Sequence, residues 1–300
     1  MSKASSASAW REIARKIEGL GYSTLYVPDH FDDQFAPMIA CTAAAEATTT
    51  LNVGTLVLDN DYRHPVVLAK EAATLDLLTE GRFELGLGAG WMKTDYETSG
   101  IPYDPPGIRI DRMVESLEIL TQLFDSGTAT FAGDHYTITD SVLTPTPYTE
   151  GGPPLVLGGG SKRVLTLAGR RAQIVSVVPS LKAGEIGLEV AAQAAPAKYD
   201  ERMAWIAEGA KDRAEKPEIQ CWTMFTAVTD TVGEMYEQFS SLFGLSVEEI
   251  STTPVGVAGT VESIVEQLEE RRERWGFSYI VIHEGEIDAF APVVAALNGR

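Results

Sequence analysis

Apolar and polar positions alternate between two periods along this chain. Short runs rich in Val, Ile, Leu and aromatic residues are each followed by a segment whose apolar positions recur every three or four residues. Seven runs stand out: 24–30 (TLYVPDH), 51–58 (LNVGTLVL), 82–90 (RFELGLGAG), 154–160 (PLVLGGG), 173–179 (QIVSVVP), 220–228 (QCWTMFTAV) and 277–284 (FSYIVIHE). Continuous apolar runs separated by helices predict a parallel sheet whose strands are covered on both faces.

The helices between them are equally legible. Trp10, Ile13, Ile17 and Leu20 share a face, and Gly21 stands where a C-terminal cap belongs. Pro65 suits the first position of a helix reaching Leu78. Val261, Ile264, Val265 and Leu268 begin another helix, which the charged run 269–274 continues as a solvated face. Two spacings are longer than one helix and its turns require. Residues 91–153 are expected to form an insertion, with a helix near 109–124 and a hairpin at 128–138, that serves as a lid. Residues 181–217 are Ala-rich and expected to be helical, broken at Pro196. No shift in composition marks a boundary, so 1–300 reads as one domain.

The pattern predicts an α/β fold, a (β/α)8 TIM barrel, in which the first strand is missing or weak. Residues 1–9 carry no large apolar residue besides Met1, and the chain passes almost directly into a helix. The expectation is a start that lies after the first strand of a complete barrel. A weak strand at 2–8 or an open seven-stranded barrel are the alternatives.

Charge narrows the function. Against 43 Asp and Glu stand 24 Lys and Arg, a formal charge of −19. Phosphate backbones would be repelled, so nucleic acid is not expected as a partner, nor is an anionic membrane surface. No apolar stretch approaches the ~18 residues of a membrane span, and no signal peptide is legible, so the expected location is cytoplasmic. Cys41 and Cys221 lie far apart with no Cys-x-x-Cys spacing, which predicts neither a disulfide framework nor a metal site.

In such barrels chemistry sits at the C-terminal ends of strands. The ends here carry Asp29-His30, Asp59-Asn60, Gly88-Ala89-Gly90-Trp91, Gly158-Gly159-Gly160-Ser161 and His283-Glu284. His30, beside an acid, is the candidate proton carrier; His283 is the weaker one. His64 reads as a helix-initiating residue, and His135 as part of the hairpin turn. The run 86–91 (GLGAGW) fails the dinucleotide fingerprint because Trp91 replaces its last small residue, and no helix is expected to begin there. Its glycines either let a flat ring approach the backbone or pack the strand end tightly.

The run 158–163 (GGGSKR) is more specific. A strand ends in three glycines and Ser161 caps the helix that follows, leaving N–H groups that suit a phosphate. From residue 151 to 184 there is no Asp or Glu, but there are Lys162, Arg163, Arg170, Arg171 and Lys182. An anionic ligand is expected here. P-loop, nucleophile-elbow and zincin motifs are absent.

At these residues the sequence resembles the luciferase-like monooxygenase superfamily, and within it the branch of oxidoreductases using the deazaflavin coenzyme F420. The likeness rests on 20–31 (LGYSTLYVPDHF), 53–91, 153–172 and 259–297. It implies a barrel of the bacterial-luciferase type, with the ring system across its C-terminal mouth, and a homodimer. Asp29 and His30 match the family's strand-end pair near the ring. Leu56 and Val57 match a strand bulge that backs the ring, often with a non-prolyl cis peptide. Gly159, Gly160 and Ser161 match the turn that holds the cofactor phosphate; Gly158, Gly88 and Gly90 are added as cofactor-binding candidates from their place at strand ends.

The branch that oxidises sugar phosphates places a Glu where Trp91 stands, so that substrate is not carried over, and Trp91 is expected to wall the substrate pocket. The function expected is hydride transfer between F420 and a small organic substrate, with His30 as the catalytic residue. A reduced-FMN monooxygenase and a catalytically silent flavin-binding homologue are the alternatives.

Overall fold

A computed structural model of the protein describes residues 6–181, 184 and 193–298. The chain falls into two compact units, 1–18 with 22–156 and 19–21 with 157–300.

In the first unit the earliest described element is α1 (Ala7–Gly19), which buries Trp10, Ala14 and Ile17 as its periodicity predicts. Residues 7 and 8, where a weak first strand was an alternative, are helical; residues 2–5 lie outside the described residues. Strand β1 (Thr24–Val27) is followed by α2 (Pro37–Ala45) and β2 (Asn52–Thr55), and β1 pairs with β2 in parallel. The apolar run 51–58 is not one strand. The Leu56–Val57 peptide is cis and separates β2 from β3 (Leu58–Asp59). Helix α3 (Pro65–Leu78) starts at its proline, with His64 as N-cap accepting from the Val66 N–H. Strand β4 (Phe83–Gly88) pairs in parallel with both β2 and β3 and is buried at all six positions. Burial on both faces is why this run reads as unbroken apolar sequence.

After β4 comes a helix that periodicity does not reveal, α4 (Lys93–Ser99), which corrects the expectation that none begins there. Then α5 (Pro106–Ser126) and the antiparallel hairpin of β5 (Thr128–Ala132) and β6 (Thr137–Val142) match the predicted contents of 91–153. Glu115 of α5 holds the hairpin turn by accepting from the N–H groups of Asp134, His135 and Tyr136.

Strand β7 (Leu155–Gly159), whose last three residues begin the second unit, leads through α6 (Lys162–Arg171) to β8 (Ile174–Val177). Residues 193–195 are not helical, and Pro196 opens α7 (Pro196–Ala210), where its fixed φ is already helical. The helical expectation for 182–183 and 185–192 lies outside the described residues. The run 220–228 divides into β9 (Glu218–Trp222) and β10 (Phe225–Val228). The backbone changes partners between them: the Thr223 N–H donates to the Val281 carbonyl, while the Met224 N–H donates to that of Val255. After α8 (Val232–Phe243) and α9 (Val247–Thr252), β11 (Gly256–Gly259) pairs with β10 in parallel. Helix α10 (Val261–Trp275), strand β12 (Phe277–Val281) and α11 (Ile287–Leu297) close the chain, with β8, β9 and β12 parallel neighbours. Val257, Ile264, Leu268, Phe290 and Val293 form a buried cluster between β11, α10 and α11.

Candidate active site

The chain leaves β1 through Pro28 into Asp29 and His30. Asp29 is buried and committed to protein partners: Arg63 grips both carboxylate oxygens, and the Asp59 N–H donates to Oδ2 at 3.1 Å. Asp29 thereby ties the end of β1 to the end of β3. His30 has a different environment. Its Nδ1 lies 2.7 Å from Oδ2 of Asp95, whose other oxygen accepts from the Phe31 N–H at 3.4 Å. The Asp95 side chain is 6% exposed and that of His30 17%, so the ring keeps an open edge. Trp91 meets the imidazole edge-on, ring centroids 5.6 Å apart.

Helix α4 makes this arrangement possible by presenting consecutive residues to two partners. Asp95 reaches His30, and Tyr96, fully buried, donates its hydroxyl to Asp59 Oδ2 at 2.7 Å. Burial pushes the Asp59 carboxyl up to about 6; the Tyr96 and Asp61 hydrogen bonds oppose this, and the nearby Asp61 and Asp29 charges add to it. The cations around this acidic group are engaged as well. Arg112 pairs with Asp61 at 2.8 Å and with Asp104, and the buried Arg109 guanidinium lies 4.3 Å from the Tyr103 ring centroid. Beside them is a cavity of about 350 Å³ lined by Asp61, Arg63, His64, Arg112, His135 and Tyr136 among others.

The glycines after β4 fit among protein groups. A side chain at Gly88 would strike Val57, and one at Gly90, whose φ is 73°, would overlap the Tyr96 hydroxyl and Asp59. Packing alone therefore requires glycine at both positions. Leu56 and Val57 are half-buried at the cis peptide between β2 and β3.

In the second unit Gly158, Gly159 and Gly160 are half-buried, and Ser161 is exposed at the start of α6. Its hydroxyl accepts from the Val164 N–H at 3.4 Å, the capping bond its position predicts. A Cβ at Gly160 would lie 2.5 Å from the Val178 carbonyl oxygen, so the turn rests directly on the backbone after β8. From the other side the buried Arg202 donates its Nε–H to the Gly160 carbonyl at 3.4 Å. Lys162 and Arg163 are exposed at the helix end. His283, the weaker histidine candidate, belongs to this unit: Nε2 is 3.0 Å from the Thr223 carbonyl oxygen, and burial lowers its basicity.

Among the sequence-derived candidates, Asp29, His30 and Trp91 come together in the first unit, and the Gly158–Ser161 turn belongs to the second. Asp95, Tyr96 and Arg63 carry no signal in the sequence. Asp59 stood at a recognised strand end, but its partner is on a helix without apolar periodicity.

The profile of the luciferase-like monooxygenase family matches residues 1–248. The chain is 32% identical over 167 residues to an F420-dependent glucose-6-phosphate dehydrogenase from Amycolatopsis mediterranei, covering 53% of this chain and 50% of that protein. It is 34% identical over 157 residues to the 4-hydroxyprotoasukamycin monooxygenase of Streptomyces nodosus subsp. asukaensis, covering 50% and 42%. It thus spans about half the length of these relatives. An F420-dependent secondary alcohol dehydrogenase, solved with an F420–acetone adduct, superposes with a TM-score of 0.76 at 20% identity, over 97% of this chain and 94% of that one. That likeness shows the fold, the TIM-barrel class of luciferase-like enzymes. A family profile matched across most of the sequence makes the assignment plain: the chain belongs to the luciferase-like monooxygenase family.

Proposed function

We propose that the protein is an F420-dependent oxidoreductase that moves a hydride between the coenzyme and a small organic substrate. The observation that carries this reading is His30, held by a buried carboxylate yet open along one edge, at the end of a strand where such barrels do their chemistry. The F420-dependent relative, matched over half of this chain, supports the choice of coenzyme.

The residues fit a phosphate-bearing ring system. The Gly158–Ser161 turn exposes a helix N-terminus flanked by Lys162 and Arg163. The family resemblance would assign the phosphate to Gly158, Gly159, Gly160 and Ser161; the ring it would assign to Leu56 and Val57, at the cis peptide. A bound deazaflavin supplies the hydride chemistry. The protein's own part is orientation, exclusion of water by Trp91 and the 91–153 segment acting as a lid, and movement of a proton by His30.

Reduced-FMN monooxygenation is the second reading, favoured by the 34% identity to the Streptomyces monooxygenase. Parallel titrations with oxidised F420 and FMN, followed by fluorescence, separate the two. Tighter binding of F420, with turnover that consumes no oxygen, is the expected result. Preferential FMN binding with oxygen uptake would establish the second reading, and binding without turnover against a broad substrate panel would mark a silent homologue.

A further inference from the structure

After the glycine run the chain sets Trp91 against the His30 ring, and four residues later Asp95 brings a carboxylate to the same histidine. We infer that Asp95 is the positioning residue of His30: it fixes the ring with its proton on Nδ1 and leaves Nε2 as the atom that exchanges a proton with substrate. The inference rests on the reading of His30 as proton carrier.

The contacts of the Asp95 side chain are all with donors. Oδ1 accepts from the Phe31 N–H at 3.4 Å and Oδ2 lies 2.7 Å from Nδ1. A neutral imidazole facing a carboxylate must present N–H there, so the tautomer follows from the partner. Among the described residues no hydrogen bond engages Nε2. Trp91 packs on the ring and resists rotation away from Asp95.

Packing does not explain why a carboxylate stands at position 95. The residue is 5% exposed on a seven-residue helix whose N-terminus has no side-chain cap. Burying an acid there costs free energy that its hydrogen bonds must offset, and one of the two is spent on His30. Asp95 also compensates charge during turnover. In substrate oxidation the C–H bond breaks and hydrogen leaves with both electrons as hydride to the coenzyme. The proton on the substrate heteroatom passes to Nε2, and the imidazolium so formed faces the carboxylate. Reduction runs the same transfers in reverse.

The test reads the tautomer directly in protein labelled with 15N-histidine and free of coenzyme. With four histidines in the chain, a His30→Gln spectrum identifies the His30 signals. Two-bond 15N–1H correlations of the neutral ring are expected to show Nδ1–H and a bare Nε2. An Nε2–H tautomer in the unmodified protein would overturn the inference without any variant needing to fold.

In Asp95→Asn the carboxamide can donate to Nδ1, so the proton is expected to shift toward Nε2. Turnover should fall on the order of 100-fold, while F420 and FMN affinities change less than about 2-fold. Asp95→Glu should restore the Nδ1–H signal and part of the rate. An Asp95→Asn protein with unchanged tautomer or unchanged turnover would also overturn it. If neither coenzyme binds, the functional reading falls, but the tautomer remains measurable and is judged separately.

Discussion

The Tyr96 hydroxyl donates to Oδ2 of Asp59 across 2.7 Å, with both side chains sealed from solvent. The same hydroxyl lies 3.2 Å from Oδ2 of Asp61, but it has one proton to give. The shorter bond anchors α4 to the end of β3, and residue 95 of that helix holds His30. The position of the imidazole therefore depends on a hydrogen bond to a different strand end.

That bond predicts an unusual pH dependence. Asp59 titrates near 6 in the folded chain, against 3.8 for an ordinary aspartate. The folded state thus binds the proton more tightly than the unfolded state, so this group lowers stability as pH rises from about 4 through 6. A shift of this size corresponds to roughly 3 kcal/mol. Tyr96→Phe removes the donor that favours the charged form, so it should destabilise by about 1–3 kcal/mol at pH 8 and by much less at pH 5. Urea melts at the two pH values measure the difference; an equal loss at both would show that the hydroxyl does not hold a carboxylate.

His30→Ala should separate binding from turnover. The imidazole touches Asp95 and Trp91 and keeps an open edge, so its removal takes away a proton carrier and little of the core. Turnover is expected to fall about 10²–10⁴-fold, with F420 affinity within about 3-fold of the unmodified protein. Full turnover with tight coenzyme binding would refute the proton role.

These residues differ in how visible they were in the sequence. His30 was visible because an apolar run ended on it. Asp95 was not, because its partner lies 65 positions away and the seven residues of α4 (KTDYETS) contain no apolar stripe. That helix is specified by what Asp95 and Tyr96 reach, a tertiary cause that leaves no periodic trace. Strand β11 was missed for a related reason. Gly256 and Gly259 give it little strand propensity, yet Gly256 is required because a side chain there would lie 2.0 Å from the Phe225 ring. The cis peptide at Leu56–Val57 came only with the family resemblance; an apolar run carries no mark of where its backbone turns.

The expected homodimer has a candidate surface in the first unit. Ile39 on α2 is 74% exposed, and α3 exposes Val67 and Leu78 at 52% and 58%. A homodimer that used these helices would cover such aliphatic side chains. Sedimentation is expected to give twice the chain mass, and Ile39→Glu combined with Val67→Glu should shift it to the monomer with the far-UV spectrum unchanged. A monomer before substitution would dismiss the dimer.

Arg202 offers a test of the proposed phosphate role of the Gly158–Ser161 turn that needs no knowledge of substrate. The residue is 1% exposed; its guanidinium donates to the carbonyls of Gly160 and Gln193 at 3.4 and 2.7 Å and lies 4.7 Å from the Tyr199 ring centroid. Burial lowers its basicity. In a trans peptide the carbonyl and the following N–H point in opposite directions. Holding the Gly160 carbonyl toward Arg202 therefore turns the Ser161 N–H the other way, out of the turn, where a phosphate can accept it. Arg202→Met keeps the bulk and removes the donor. It should weaken F420 or FMN about tenfold, near 1.4 kcal/mol, while the phosphate-free ribityl deazaflavin or riboflavin binds as before. Equal losses for the phosphorylated and unphosphorylated rings would mean that Arg202 only supports packing, because a group acting through the turn must tell the two apart.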